Sequence, residues 1–224
     1  MRWAEHQMMK RLKGIIHVGA NVGQERDYYA RYGLNVLWIE PIPWVFKDLK
    51  SAISSYPKQR ALEYLVLDKD GETTTLHVSN NDGESSSVLE LALHQDVWPS
   101  VQFTRDIEIR SHKLDTIIEK EHINLPDYDG LVLDTQGSEL LVLKGAQRVL
   151  RNMRMVKLEV ADFESYAGCP RPEHLADFLG AYGLREWMRV PFAVHSGGGR
   201  YYDITYRNSI APLTRQHRAA ARYA

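Results

Sequence analysis

The chain has 224 residues and a mass of 25.8 kDa, which suits one domain with a single hydrophobic core. Hydrophobic residues make up 44% of it and charged residues 25%, and these average values exclude a disordered or fibrous protein. The 28 basic and 29 acidic residues nearly cancel, so the overall charge does not indicate a nucleic-acid-binding protein.

The cysteine content and the N-terminus bear on the compartment. The single cysteine, Cys169, has no partner for an internal disulfide, as is usual in a reducing compartment. The N-terminus carries Lys10, Arg11 and Lys13 without a hydrophobic stretch of signal-peptide length, and no window approaches the ~20 apolar residues of a membrane span. We therefore predict a soluble, cytoplasmic protein without a membrane span. The sequence leaves its oligomeric state open.

Strand and helix patterns alternate along the first third of the chain. Residues 1–13 predict an N-terminal helix or lid. Strands are predicted at 14–19, 34–39 and 61–67, and helices at 21–32 and 43–54. In the second helix, Trp44 is predicted to face inward. This order of elements predicts a parallel sheet with right-handed crossovers.

The central segment departs from that pattern. Residues 73–114 contain two alternating stretches separated by a polar loop, which predicts an antiparallel insertion at the edge of the sheet. Strands then follow at 131–133, 155–160, 184–190 and 201–206, and helices at 115–122, 138–150 and 173–182. Asp115 is the predicted N-cap of the first of these helices. The tail, 208–224, is predicted to be frayed.

A glycine-containing turn follows the first predicted strand. Gly19 and Gly23 allow the backbone to turn tightly and allow a ligand to approach the start of the next helix. Glu40 stands 21 residues after Gly19, at the end of the second strand, where an acid binds a ribose diol in nucleotide-binding sheets. Each feature alone has a purely structural explanation. Together, on consecutive strand ends, they predict an adenosine site.

The turn differs from a dinucleotide fingerprint. In G-x-G-x-x-G, Asn21 replaces the second glycine and Gln24 the third, and the following helix adds acidic residues near a pyrophosphate. S-adenosylmethionine has no phosphate and carries a cationic amine, so it tolerates both features. The P-loop, nucleophile-elbow and zincin motifs are absent from the sequence. The turn therefore favours S-adenosylmethionine over NAD or FAD.

Three segments of the sequence together resemble one family. They are His17-Val18-Gly19-Ala20-Asn21-Val22-Gly23, Glu40-Pro41 and Leu133-Asp134-Thr135-Gln136-Gly137-Ser138-Glu139-Leu140-Leu141-Val142-Leu143-Lys144-Gly145-Ala146. With them the chain resembles the FkbM family of S-adenosylmethionine-dependent methyltransferases over about residues 14–207. The resemblance implies an α/β class I methyltransferase (Rossmann-like) fold, with a seven-stranded, mostly parallel sheet in the order 3-2-1-4-5-7-6, flanked by helices. It also implies methylation of hydroxyls on sugars, glycans and natural products.

The same resemblance implies a cofactor site. The residues that would line the methionine moiety are Gly19, Ala20, Asn21 and Gly23, and we include the adjacent Gln24 and Pro41 in the predicted cofactor site. Glu40 would hold the ribose hydroxyls. Asp68, at the end of the third strand, would lie near the adenine, although it also suits a hairpin turn. His17 stands where the family usually carries an acid, and it either contacts the cofactor or simply ends a core strand.

Two acidic residues end the fourth and fifth predicted strands. In the implied strand order these ends lie beside the first strand, where the acceptor must meet the methyl group. We therefore predict that Asp134 and Glu159 are catalytic, as base and orienter for the acceptor hydroxyl. With Asp162 they are alternatively the oxygen ligands of a divalent metal such as Mg²⁺. For Asp134, capping of the 138–150 helix is the structural alternative.

The predicted activity is transfer of a methyl group from S-adenosylmethionine to a hydroxyl of a sugar, glycan or glycosylated metabolite. Two alternatives stay open: methylation of an amine or a non-sugar alcohol, and a non-catalytic scaffold that retains the fold. The segments predicted to select the acceptor are 80–104, 162–172 and the Gly197–Gly199 turn. Aromatic residues in or beside them are Trp98, Phe103, Phe163, Tyr166, Tyr201 and Tyr202.

Overall fold

The computed structural model of the chain describes residues 3–208, so the tail predicted beyond Asn208 lies outside the described residues. The strands within this range are β1 Gly14–Val18, β2 Asn35–Ile39, β3 Gln59–Leu62, β4 Leu65–Val66, β5 Thr73–Ser79, β6 Phe103–His112, β7 Gly130–Leu133, β8 Met155–Ala161, β9 Leu184–Val194 and β10 Arg200–Asn208. The α-helices are α1 Trp3–Met9, α2 Arg26–Arg31, α3 Pro43–Ala52, α4 His94–Val97, α5 Leu114–Lys120, α6 Glu139–Lys144, α7 Gln147–Leu150 and α8 Pro172–Gly180. A 3-10 turn spans Leu125–Asp127.

Seven strands form one sheet in the order β3-β2-β1-β7-β8-β10-β9. Neighbouring strands from β3 to β8 pair in parallel, and β10 is antiparallel to both β8 and β9. Every residue of β1 and β7 is buried, as expected for central strands covered by helices on both faces. This arrangement confirms the predicted class I methyltransferase fold, including its strand order.

Each face of the sheet has its own hydrophobic core. On one face, Ile16 and Val18 of β1 belong to a cluster that includes residues of α5 to α8. On the other face, Ile15 packs in a second cluster with residues of α1, α2 and α3. Because successive side chains of a strand point to opposite faces, one short apolar run contributes to both clusters. The carboxyl ends of β1 and β7 are thereby fixed from both sides.

The third predicted strand, 61–67, is divided between two sheets. β3 ends at Leu62, and Glu63 and Tyr64 separate it from β4. β4 pairs in parallel with β6 in a second sheet of order β4-β6-β5, in which β5 and β6 are antiparallel. The predicted antiparallel insertion is therefore confirmed, but the boundary of the third strand is wrong. Only the exposed Glu63 interrupts the apolar residues here, and a single polar residue also occurs within a continuous edge strand, so the sequence pattern alone does not mark the change.

Two predicted helices begin late or are interrupted. The helix predicted at 21–32 begins only at Arg26, because Asn21 and Gly23 have φ angles of 43° and 71° and keep the backbone in a turn. The helix predicted at 138–150 is divided into α6 and α7 at Gly145. A Cβ on Gly145 would lie 2.1 Å from the backbone oxygen of Leu67, so the helix layer touches the chain next to β4 at this point.

Two side chains also differ from the prediction. Asp115 lies inside α5, not at its N-cap, and its carboxylate accepts hydrogen bonds from the N–H groups of Arg148 at 2.8 Å and Val149 at 3.0 Å. It therefore stabilises the start of α7. Trp44, predicted to face inward, is 40% exposed, and the guanidinium of Arg105 lies 4.9 Å from its ring centroid.

Candidate active site

A cavity of about 420 Å³ lies at the carboxyl ends of β1, β2, β7 and β8, within the usual size of a small-molecule site. The turn after β1 forms one part of its wall, and the loop after β7 another. Nine of the residues predicted for the cofactor or for catalysis line it: His17, Gly19, Ala20, Asn21, Gln24, Glu40, Pro41, Asp134 and Glu159.

Gly23 and Asp68 are not among the lining residues. A Cβ on Gly23 would lie 2.8 Å from Cδ1 of Leu49, so this glycine allows the turn to pack on α3. Asp68 follows β4 of the small sheet and not β3, because the predicted third strand is divided. The lining beyond β3 is instead formed by Tyr64, Leu65 and Val66.

The alternative assignment of Asp134, Glu159 and Asp162 as metal ligands finds no support in the described residues. Asp162 is exposed, and its carboxylate accepts hydrogen bonds from the N–H of Arg200 at 2.7 Å and the hydroxyl of Tyr202 at 3.0 Å. Over residues 3–208, no group of three or more His, Cys, Asp or Glu side chains is placed to hold a metal ion. The predicted Mg²⁺ ligands Asp134, Glu159 and Asp162 are therefore not supported as a set.

Gly19 joins the turn after β1 to the loop after β7. Its φ angle is +78°, and a Cβ at this position would lie 1.8 Å from the backbone oxygen of Asp134. Any side chain would push the two loops apart, so only glycine satisfies both the conformation and the contact. The geometry of the turn is thus tied directly to the position of Asp134.

Glu40 connects the end of β2 to the same turn. It is 4% exposed, and its two carboxylate oxygens accept hydrogen bonds from the N–H groups of Asn21 at 2.9 Å and Ile42 at 3.0 Å. Burial raises the pKa of Glu40 to about 7, although the two hydrogen bonds act in the opposite direction. Each oxygen keeps further acceptor capacity, which a pair of ligand hydroxyls can use.

His17 is held in the core beneath the turn. Its ring stacks on Trp38 with centroids 5.0 Å apart, and its Nδ1 lies 3.2 Å from the hydroxyl of Tyr29. Burial and, to a lesser degree, the charge of Lys157 lower the pKa of His17 to about 3, so the imidazole is neutral. It lines the cavity and lies in core strand β1, one residue before the strand ends at Val18, so a contact with the cofactor stays a prediction.

Asp134 directly follows β7, and Glu159 lies in the adjacent strand β8, two residues before its end at Ala161. Burial raises the pKa of both carboxyl groups: that of Asp134 to about 7, with Glu139 adding to the effect, and that of Glu159 well above its usual range, with Asp134 adding to it. The side-chain amide of Gln136 donates a hydrogen bond of 2.7 Å to Oδ1 of Asp134. Asp134 is not the helix cap that the alternative required, because the residue preceding α6 is Ser138.

Glu139 supports the loop that carries Asp134. It is 1% exposed, and its Oε1 accepts hydrogen bonds from the N–H and hydroxyl of Thr135, both at 3.1 Å, and from the N–H of Gly137 at 3.2 Å. One buried carboxylate oxygen therefore holds the loop from below. Thr135 and Gln136 of this loop line the cavity together with Asp134.

The charge of the lining has a single sign. Its charged residues are Glu25, Glu40, Glu84, Asp134 and Glu159, and among the described residues that form the lining there is no lysine or arginine. Such a lining disfavours a phosphate-bearing dinucleotide and favours a ligand with a sulfonium and an ammonium group. The donor and acceptor groups present therefore fit S-adenosylmethionine.

The comparison with protein families agrees with this chemistry. The sequence matches the model of the methyltransferase FkbM domain over residues 17–186, which is most of the 224-residue chain. The chain belongs to the FkbM methyltransferase family. It is accordingly an S-adenosylmethionine-dependent methyltransferase. No curated protein sequence matches it at a significant level.

Two solved structures are similar to this chain at low sequence identity. A putative sarcosine dimethylglycine methyltransferase from Galdieria sulphuraria is 9% identical, with a TM-score of 0.51 over 92% of this chain and 83% of that one. The magnesium protoporphyrin IX methyltransferase ChlM from Synechocystis PCC 6803, solved with bound S-adenosylmethionine, is 10% identical, with a TM-score of 0.49 over 91% and 74% of the two chains. At 9% identity the likeness to the Galdieria sulphuraria structure shows the fold alone.

The FkbM methyltransferase cavity also contains lining residues outside the predicted cofactor and catalytic residues, some of them in the 80–104 segment predicted to select the acceptor. Glu25 lines it because the helix begins late and leaves this acid in the turn, and burial raises its pKa. The serines of the polar loop, Ser85 to Ser87, are part of the wall, and the hydroxyl of Ser87 donates a 2.7 Å hydrogen bond to the backbone oxygen of Gln136. His94, from the unpredicted helix α4, is a further lining residue.

Over residues 3–208, no helix of this FkbM methyltransferase has an apolar stretch long enough to cross a membrane.

Proposed function

We propose that this methyltransferase transfers a methyl group to a hydroxyl of a sugar, a glycan or a glycosylated metabolite. The observation that carries the proposal is the acid pair, Asp134 and Glu159, in the cavity that also contains the turn after β1 and Glu40. An alcohol must lose its proton when its oxygen is methylated. A carboxylate whose pKa is near 7 is suited to accept that proton near neutral pH.

The half of the cavity near β1 and β2 is proposed to bind the cofactor. When bound there, S-adenosylmethionine supplies an electrophilic methyl group on a sulfonium centre. Glu40 would accept hydrogen bonds from the ribose hydroxyls, using lone pairs that Asn21 and Ile42 leave free. Tyr64 and Leu65, which line the cavity beyond β3, would contact the adenine. The acidic lining attracts the cationic end of the cofactor.

The half near β7 and β8 is proposed to hold the acceptor. Asp134 takes the proton of the acceptor hydroxyl, and the amide of Gln136 orients its carboxylate through the 2.7 Å hydrogen bond. Glu159, on the next strand, accepts a hydrogen bond from the acceptor and fixes its approach. Holding the reacting oxygen in line with the methyl group contributes several kcal/mol to catalysis, on the order of 7–11 kcal/mol at most.

The cofactor assignment is tested by calorimetric titration with S-adenosylhomocysteine. Wild-type protein should bind it, and Glu40→Gln should weaken binding by about tenfold, because a hydrogen bond to a charged group contributes about 1.5–3 kcal/mol. Gln is preferred to Ala because its carbonyl oxygen still accepts one of the two backbone hydrogen bonds. Equal affinity in both proteins would contradict the ribose contact. Absence of wild-type binding, with the protein folded, would favour the scaffold alternative.

The acceptor class is tested with tritiated S-adenosylmethionine. A panel should contain methyl glycosides, the corresponding aminodeoxy sugars acylated at oxygen, and simple non-sugar alcohols. We expect label only on free sugar hydroxyls. Label on the amines of the acylated sugars would contradict the proposal and favour an amine acceptor. Label on non-sugar alcohols in preference to glycosides would contradict it and favour a non-sugar alcohol.

A further inference from the structure

An aromatic wall closes the cavity on the side of β8 and β10. Trp98, directly after α4, and His94 both line the cavity together with Glu159. The Trp98 ring centroid lies 4.6 Å from that of His94 and 4.8 Å from that of Tyr201 on β10. Trp98 is half-buried, and its indole N–H makes no hydrogen bond with a described residue, so it is available to a ligand.

His94 fixes this wall and does not act as a base. It is 3% exposed, with Nδ1 2.7 Å from the hydroxyl of Tyr201 and Nε2 3.2 Å from the hydroxyl of Ser85. Both ring nitrogens are therefore in use. Burial lowers the pKa of His94 to about 4, which keeps the ring neutral. The histidine joins α4 to β10 and to the serine loop, so Trp98 is presented on a rigid support.

The wall lies opposite the proposed cofactor half. Glu40 directly follows β2 and Glu159 lies near the carboxyl end of β8, and the strands β1 and β7 lie between β2 and β8. Tyr201, against which Trp98 packs, is on β10, the next strand beyond β8. A molecule that reaches the acid pair from this side therefore passes Trp98.

We propose that Trp98 is the platform on which the acceptor ring lies, and that the acid-lined cavity admits neutral or amino-bearing pyranosides but not uronates or sugar phosphates. This inference rests on the proposed function. The C–H face of a pyranose packs on the negative face of an indole, while its hydroxyls reach the indole N–H and the carboxyl groups. An anionic substituent would enter a lining with five acidic residues and no described basic one.

The test uses three methyl β-D-glycosides with the same ring: the glucoside, the glucosaminide and the glucuronide. Each is titrated by ligand-observed NMR into protein saturated with S-adenosylhomocysteine, for wild type, Trp98→Ala, Trp98→Phe and Trp44→Ala. Trp44 is the matched control, because it is an exposed tryptophan outside the cavity lining. We expect the glucoside and glucosaminide to bind wild type and the glucuronide to bind at least about tenfold more weakly, which corresponds to about 1.4 kcal/mol. Trp98→Ala should weaken the first two about tenfold, whereas Trp98→Phe and Trp44→Ala should stay within about threefold.

Three results would overturn the inference. They are glucuronide binding as tight as that of the glucoside, unchanged binding in Trp98→Ala, and no binding of any of the three glycosides to wild type. Titration of S-adenosylhomocysteine on the same samples reports separately on the cofactor site, and its failure in wild type would contradict the proposed function instead. If Trp98→Ala does not fold, the comparison of the glucoside, the glucosaminide and the glucuronide still tests the inference, with wild type and with Trp98→Phe.

Discussion

The two halves of the cavity are built in different ways. The half near β1 and β2 consists of a short continuous turn, whose shape depends on Gly19 and on backbone N–H groups bound by Glu40. The half near β7 and β8 is assembled from side chains that are distant in sequence, among them Asp134, Glu159 and Trp98. The first half therefore depends on backbone conformation, and the second on the placement of individual functional groups. Substitutions should affect the two halves in different ways.

The largest effect on turnover is expected in the second half. Asp134→Asn keeps the shape of the side chain but removes the base, so kcat should fall by about 10²–10⁴-fold. The affinity for S-adenosylhomocysteine should change less than about threefold, because the turn and Glu40 are untouched. Single-turnover rates and calorimetry on the same protein separate the two effects. Unchanged turnover would remove Asp134 from the proposed mechanism.

The corresponding change in the first half is Gly19→Ala. Its methyl group would meet the backbone oxygen of Asp134 at 1.8 Å, at a φ angle of +78° that alanine disfavours. We expect a loss of about 2–4 kcal/mol in the free energy of unfolding, together with weaker cofactor binding and lower kcat. Chemical denaturation measures the first quantity. Full stability with normal cofactor affinity would show that the two loops are not tightly joined.

The pH dependence of the rate tests the acid pair without a substitution. Burial raises the pKa of Asp134 to about 7, and only its carboxylate form can accept a proton. Below pH 7, kcat should therefore fall by about tenfold for each pH unit, and it should level off above pH 7. A rate that is constant between pH 5.5 and about 8 would exclude a base with this pKa.

The same carboxyl group should also affect stability. Its pKa rises on folding from near 3.8 to about 7, so between these values the folded protein retains a proton that the unfolded chain has released. The free energy of unfolding contributed by this group is therefore highest at low pH and falls as the pH rises through 7. Asp134→Asn should thus be more stable than wild type at pH 8, with the difference disappearing near pH 4. Parallel denaturation curves at both pH values check the sign.

The smallest effect is expected far from either half. Asp115→Ala removes the carboxylate that accepts the N–H groups of Arg148 and Val149 at the start of α7. The cost should be about 1–2 kcal/mol of stability, with unchanged kcat and cofactor affinity. Thermal unfolding and a standard assay suffice. If the variant lost activity while keeping full stability, the conformation of the chain between α6 and α7 would have to affect the active site, and the prediction would be wrong.

The contrast between the halves also explains what the sequence could reveal. The strand order and the turn after β1 were predictable, because buried strands and glycines leave local signals and because the motifs resemble one family. The division of the third strand was not, since only Glu63 interrupts the apolar residues from Ala61 to Leu67, while the pairing partner changes there from β2 to β6. Asp68 was consequently expected in the cavity, where Tyr64, Leu65 and Val66 are found instead.

Predicting the residues of the half near β7 and β8 requires knowledge of contacts between residues that are distant in sequence. Asp134 and Glu159 were predictable as the ends of two neighbouring strands. His94 was not, because α4 has only four residues and its position depends on Tyr201, 107 residues further along the chain. A contact over such a separation leaves no periodic signal in the local sequence. Trp98 could be listed among the aromatic residues of a variable segment, but its location beside Glu159 required the fold.

The buried Glu139 should also slow hydrogen exchange in the loop that it supports. Its single oxygen holds the amide hydrogens of Thr135 and Gly137, so neither can exchange with solvent until the loop detaches from the start of α6. Those two amides should exchange about as slowly as amides of the central strands, although they belong to a loop. The loop that carries Asp134 would then open only in the rare events that also loosen the helix, and the cavity would keep its geometry between one turnover and the next.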